Sequence, residues 1–373
     1  MILISRICLL PAYSSFSVSL LGIVTLILFF MTILLFFVSL GMRLRHRKID
    51  SLAQSYEETF YPLILNYLED ENSKEKILSF FSGKNLEYAV FEKTVIRLLK
   101  NLEGDEVKKL NELLLIEPIY DYHLNQLISN SDIVRIKACN YFRFTQLIHP
   151  GIVNKLIDFL NSENRLLAFS AASALMASKD VSVRADALTS IARKNKISEM
   201  GLLELLYKFE SNDHSQKDDE ALALKDLILD PEIPDDNKVM LIRGVTELDY
   251  YQLSDFFAKL ILSKEYYKNN VDLLKALIRA QKNLFNLTTS PVIRSFLEHN
   301  NPDVKFEAIE VLATFGGQDN LSAIYNTIEN EKPEIQTKCV ESLINNDITE
   351  KDILINIDSK YHENISNFIK SIK

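Results

Sequence analysis

Residues Pro291–Gly316 read PVIRSFLEHNNPDVKFEAIEVLATFG. Apolar residues recur at helical spacing on both sides of a polar break at His299-Asn300-Asn301, and Pro291 and Pro302 stand where each helix would begin, the position at which proline's missing amide costs least. The stretch predicts helix, tight turn, helix. Three other segments lie over it with small shifts: LSAIYNTIENEKPEIQTKCVESLI from Leu321, PGIVNKLIDFLNSENRLLAFSAASAL from Pro150 and PIYDYHLNQLISNSDIVRIKACNYF from Pro118. Pro302 and Pro333 are 31 residues apart, and Pro118 and Pro150 are 32 apart. An internal repeat of this length marks stacked supersecondary units.

Within each unit the first helix ends on Leu127-Ile128, Phe159-Leu160, Phe296-Leu297 or Thr327-Ile328, and a turn rich in Asn and Ser follows. An acidic residue (Asp132, Glu163, Asp303, Glu334) then stands near the start of the second helix, where it is expected to cap free amides and meet the positive end of the helix dipole. A small residue recurs at a fixed phase of the second helix: Ala138, Ala168, Gly244, Ala276, Ala308 and Cys339, with steps of 32, 32 and 31 from Gly244 onward. Close backbone approach between helices is the expected reason.

This pattern resembles the HEAT-repeat family in its short bacterial form, through Pro302-Asp303 and Pro333-Glu334 entering the second helix ahead of a basic or polar residue and a small one. The resemblance covers about Glu117 to Leu343 and weakens between Val181 and Asn270. There, VSVRADALTSIA (Val181–Ala192) reads as another second helix, yet Ala187 falls 19 residues after Ala168 and breaks the period. Two interruptions follow, SNDHSQKDDE (residues 211–220) and DPEIPDDN (residues 230–237), each read as a surface loop in a continuous array or a joint between two sub-arrays. The resemblance implies an α-solenoid of antiparallel helix pairs, with second helices lining a concave inner face suited to gripping another protein.

The chain has 373 residues, 47% of them hydrophobic and 25% charged, which is enough apolar content to bury a substantial core and excludes disorder. With 9 Gly and 9 Pro it is short of turn formers, which argues against an all-β fold and for long helices. A net charge of -9 disfavours nucleic acid as a partner. Cys8, Cys139 and Cys339 are odd in number and far apart. They form neither a disulfide framework nor a thiolate metal motif, which suits a reducing compartment.

No charged residue occurs between Arg6 and Arg43, and Val18–Leu40 is almost wholly apolar over 23 positions. As a helix that stretch is about 34 Å long, enough to cross a hydrocarbon core of about 30 Å. It exceeds the ~7 to 15 residues of a cleaved signal's apolar region. Arg43, Arg45, Arg47 and Lys48 follow immediately, against a lone Arg6 before it. The positive-inside rule then predicts a single-pass protein of the plasma (inner) membrane, N-terminus outside and C-terminal part cytoplasmic. The same four residues suit contact with lipid headgroups. Beyond them Ile49, Leu52, Tyr56, Phe60, Leu63 and Tyr67 form one helical stripe that should begin the folded region. The expected organisation is a tail (1–16), a membrane helix (17–42), a basic flank (43–48), a helical cap (49–116), a repeat array (117–350, insertion 211–220) and a C-terminal cap (351–373).

Convergent chemistry is not evident. His46, His123, His149, His214, His299 and His362 never fall at ligand spacing, Gly316-Gly317 reads as a helix C-cap, and no nucleophile elbow occurs. No metal, cofactor or small-molecule substrate is expected, and the chain is read as a non-enzyme. HEAT-like arrays also resemble phycobilin lyases and alkylpurine DNA glycosylases. No chromophore-handling motif is present here, and the absence of Trp together with the negative charge departs from the glycosylases.

Candidate partner-binding residues are Arg135, Lys137, Arg165, Arg184 and Lys305 on second helices, and Tyr250 and Tyr251 in an aromatic-rich unit. The basic residues also suit pairing with neighbouring acids, and the aromatics suit core packing. The expected function is a membrane-anchored scaffold or adaptor binding other proteins at the cytoplasmic face. Two alternatives stand beside it: a regulatory subunit of an inner-membrane enzyme system such as polysaccharide synthesis or export, and a lyase- or hydrolase-type enzyme with a concave-face site.

Overall fold

The structure, a computed structural model, describes residues 10–145, 150–194, 198–211, 213–268 and 270–372. Among them are 20 α-helices and no strand, so the chain is all-α, as the scarcity of turn formers predicts. Two compact units divide it, Met1–Tyr122 and His123–Lys373.

The first unit contains α1 (Leu10–Glu69), α2 (Lys74–Phe80), α3 (Asn85–Leu99) and α4 (Asp105–Leu114), and ends within α5 (Glu117–Leu127). At ~1.5 Å per residue α1 runs for about 90 Å without a break at residue 16, 42 or 48. The expected tail is therefore part of the same helix from Leu10 to Phe16, and residues 1–9 with Cys8 lie outside the described residues. Over Ile23–Glu69 it is long and apolar enough to cross a membrane. Its large side chains from Ile23 to Leu44 stand free of the protein, Phe36 at 63% exposure. The Thr32 hydroxyl donates to the Leu28 carbonyl (2.8 Å), which satisfies it without water.

The C-terminal third of α1 changes character. Phe60, Ile64 and Tyr67 are buried against α3 and α4, whereas Ile49 and Leu52 of the expected stripe remain exposed. Phe60 meets Phe91 edge-on (5.2 Å between centroids) and Phe81 (5.3 Å). Each such buried side chain is worth roughly 1.5–3 kcal/mol. At the start of α3 the buried Glu87 accepts from the Ser82 amide (2.8 Å) and hydroxyl (2.5 Å). Burial works to raise its carboxyl, but hydrogen bonds from Ser82 and the Lys84 amide outweigh it and hold the pKa at about 2.

The second unit continues through α6 (Asp132–Phe142), α7 (Pro150–Leu160), α8 (Arg165–Leu175), α9 (Val181–Ala192), α10 (Glu199–Phe209), α11 (Lys217–Leu229) and α12 (Asp235–Glu247). It ends with α13 (Ser254–Leu262), α14 (Val271–Asn283), α15 (Ser290–Ser295), α16 (Pro302–Phe315), α17 (Gln318–Asn330), α18 (Pro333–Asn345), α19 (Glu350–Ile355) and α20 (His362–Ile372). Helices pack on their sequence neighbours, as in α7 with α8, α13 with α14, α15 with α16 and α17 with α18. Alternate helices also pack on one another: α6, α8, α10, α12, α14, α16, α18 and α20 meet in succession, and α7, α9 and α11 do likewise.

That alternation explains the broken period. α9 has the composition of a second helix, but it packs against α7 and α11, in the opposite row from α8; α10 takes the place between α8 and α12. The interruption at 211–220 is also not the simple solvated loop of the sequence reading. Lys217–Glu220 form the first turn of α11, and Glu220 is fully buried.

Capping differs in detail from expectation. The asparagines before the second helices do the work: Asn164 Oδ1 accepts from the Leu166 amide (3.1 Å), Asn270 Oδ1 from Leu273 (2.9 Å) and Asn301 Oδ1 from Asp303 (2.8 Å). Two of them also reach the preceding helix of their row. Asn164 Nδ2 donates to Asp132 (2.9 Å) and Asn270 Nδ2 to Asp235 (3.0 Å). At the small-residue phase, Ala138, Ala168, Ala308 and Cys339 are buried, and Ala276 is half-buried. Gly244 shows why size matters, since a Cβ there would press on Leu206 Cδ2 and lie 2.9 Å from Leu203 Cδ2. Gly316, at φ +62°, closes α16 as its C-cap.

Candidate binding surface

Along α14, α16 and α18, charged residues cross-link successive helices. Lys275 faces Asp303 (3.8 Å), Arg279 grips Glu307 with Nε to Oε2 at 3.2 Å, and Lys282 bonds Glu310. Each acid lies 28 residues beyond its cation, so one turn-to-turn register generates all three. Lys338 of α18 approaches Glu310 from the other side (3.7 Å). Burial raises the Glu310 carboxyl and the two lysines lower it further than that, leaving it below its usual range. One repeat earlier Arg243 of α12 pairs with Glu199 of α10 (3.2 Å). A groove of about 340 Å³ there is lined by Glu199, Asp236, Arg243, Asp272, Lys275 and Arg279, with signs interleaved.

A different arrangement occurs where α9, α10 and α11 meet. Arg184 and Glu220, 3% and 0% exposed, form a 2.6 Å ion pair. The guanidinium also donates to the carbonyls of Phe209 (3.1 Å) and Ser178 (2.8 Å) and to Gln216 Oε1 (3.1 Å). Glu220 accepts from the Ser211 amide (2.9 Å) and the Tyr250 hydroxyl (3.0 Å). Burial, then the adjacent Glu220 charge, pushes the Tyr250 hydroxyl well above its ordinary pKa. Lys217 lies 4.1 Å from the Tyr250 ring centroid and pairs with Glu210. Every charge in this cluster has a partner, which is the condition for tolerating buried ions.

The sequence candidates accordingly separate. Arg184 and Tyr250 are brought together, but inside the protein, and neither can touch a partner; that is a correction of the sequence reading. Lys305 is largely buried and pairs with Glu331. Arg135 is half-buried, bonds Asp132 (3.3 Å) and stacks over Phe159 (5.3 Å to the centroid). Lys137, Arg165 and Tyr251 face solvent. Arg165 borders a cavity of about 650 Å³ with Leu166, Phe169, Ile191 and Lys194. Arg43, Arg45, Arg47 and Lys48 are exposed on α1. Glu220 and the Lys275–Arg279–Lys282 series were not singled out by sequence, although the latter's spacing of four and three on α14 is a legible helical stripe.

Cys139 and Cys339 are buried and free, their thiols pushed up to about 12 by burial. His123 stacks on Tyr141 (3.8 Å between centroids) and bonds Gln126. His149 and the side chain of His214 lie outside the described residues. Among the described residues no three of His, Cys, Asp and Glu are grouped to hold a metal ion.

No family model and no curated protein matches the chain. Among solved structures it is similar to a crystal structure of an engineered protein from the Northeast Structural Genomics Consortium, at 19% identity, over 61% of this chain and 96% of that one, with a TM-score of 0.21. A likeness of that size carries no argument about fold or function.

Proposed function

We propose that this protein is a non-enzymatic, single-pass membrane scaffold in which α1 crosses the inner membrane and the second unit is a HEAT-like α-solenoid that binds other proteins at the cytoplasmic face. The observation that carries the reading is the succession of alternate-helix contacts from α6 to α20. An array in which each helix meets near neighbours in sequence is the arrangement that presents long, distributed contact surfaces. The exposed apolar residues of α1 and the basic residues that follow them supply the anchor and its orientation.

In-cell crosslinking, detergent solubilisation through a C-terminal tag and mass spectrometry test the reading. One stoichiometric partner crosslinked to exposed residues such as Lys137 is the expected result. Recovery of the protein alone at several crosslinker lengths would count against it.

A further inference from the structure

The ladder helices neutralise their own charges; the groove between α9 and α11 does not. This groove, of about 840 Å³, is lined by Asp180, Asp186, Asp219, Asp226 and Asp230 against a single cation, Arg193. Arg193 is already bound to Asp230 (2.7 Å) and Glu232 (3.0 Å), and Asp180 caps α9 through the Ser182 amide (2.9 Å). Asp186, Asp219 and Asp226 are exposed and have no ion pair among the described residues.

The floor between these carboxylates is apolar. Leu222 is 57% and Leu229 44% exposed, with Ala185 and Ala223 beside them. On its other side α11 buries Ala221, Leu224 and Ile228 in the core. A helix apolar on both sides is one that expects cover on both, and here one side has none from the described residues. Helices of 12 and 13 residues make the groove about 18–20 Å long, room for some three turns of a docked helix.

We infer that the α9/α11 groove binds a basic amphipathic helix of a protein partner, whose leucine-type residues cover Leu222 and Leu229 and whose Lys or Arg residues flank them to meet Asp186, Asp219 and Asp226. This is helix-in-groove recognition with charge setting the choice of partner. The inference rests on the scaffold reading and places one contact on the row opposite to the ion ladder.

The test uses the full-length protein in its own membrane, carrying a photocrosslinking residue at Leu222 or, for comparison, at Lys137. The expected adduct at Leu222 maps to a partner segment with a net positive charge and helical apolar spacing. D186N/D219N/D226N, which keeps shape, should reduce that adduct at least tenfold, and D186K/D219K/D226K should abolish it. Unchanged far-UV circular dichroism and an unchanged Lys137 adduct would exclude misfolding. An adduct with lipid or with an acidic or uncharged segment, no adduct at Leu222, or a loss under tenfold would overturn the groove. If chemical crosslinking still recovered a partner, the scaffold reading would survive; loss of adducts at both positions would remove both.

Discussion

Separating Arg184 from Glu220 should be among the most damaging single changes in the second unit. In R184M the Glu220 carboxylate, 0% exposed, keeps the Ser211 amide and Tyr250 hydroxyl but loses its counter-ion. In E220Q the guanidinium keeps its two carbonyl acceptors and Gln216 but loses the negative charge. Breaking a buried pair from one side costs about 3–5 kcal/mol. For a unit of this size each kcal/mol shifts Tm by roughly 2–4 °C, so either variant should melt about 6–20 °C lower. Thermal melts of the full-length protein in micelles, followed by far-UV circular dichroism, measure this. R135M is the matched control, since its pair with Asp132 is part-exposed (27% and 38%) and worth about 0–1 kcal/mol. The double variant R184M/E220L, which strands neither ion, should recover at least half of the single-variant loss. Melting of R184M and E220Q within about 2 °C of the parent, below the least shift expected, would mean that the buried pair does not hold this part of the second unit together.

Three further outcomes follow from packing and titration. G244A gains about 1 kcal/mol of helix propensity against an overpacking cost of about 1–3 kcal/mol, so it should fall between neutral and 2 kcal/mol less stable; G244V should lose at least about 2 kcal/mol, as read from denaturant midpoints. Glu87 has a folded pKa depressed to about 2 from 4.5, so its contribution is complete above about pH 4.5 and is lost as pH falls toward 2. The Tm gap between parent and E87Q should therefore close over that window, and a gap constant from pH 6 to 2 would refute it. With thiols pushed up to about 12, roughly one in ten thousand of each is thiolate at pH 8. A C8S variant should leave Cys139 and Cys339 unlabelled by a thiol reagent until urea is added.

How much of this was legible in sequence depends on the range of the interaction. Pro302, Pro333 and the Asn-rich turns act within one helical turn, and the helix pairs α15/α16 and α17/α18 fall where those signals put them. The small residue at Gly244 was readable because its period was. The row taken by α9 was not readable: VSVRADALTSIA suits either row, and contact with α7 and α11 decides. Glu220 sits in a polar, acidic run that reads as solvent-exposed, and its counter-ion is 36 residues away. The position of Arg184 ahead of a small residue and of Tyr250 in an aromatic-rich unit is visible in the sequence, but their roles are set by that same carboxylate. The continuous course of α1 through residues 43–48 was hidden for the opposite reason, since a charged run in a helix looks locally like a boundary.

In the function proposed above, α1 holds the helical array at the cytoplasmic face of the inner membrane. Protease protection of a C-terminal epitope in spheroplasts and in inverted membrane vesicles, after alkaline carbonate washing, tests it most directly. The expected epitope stays with the washed membrane, survives protease outside spheroplasts and is cleaved in inverted vesicles. Release by carbonate, or cleavage on intact spheroplasts, would contradict it.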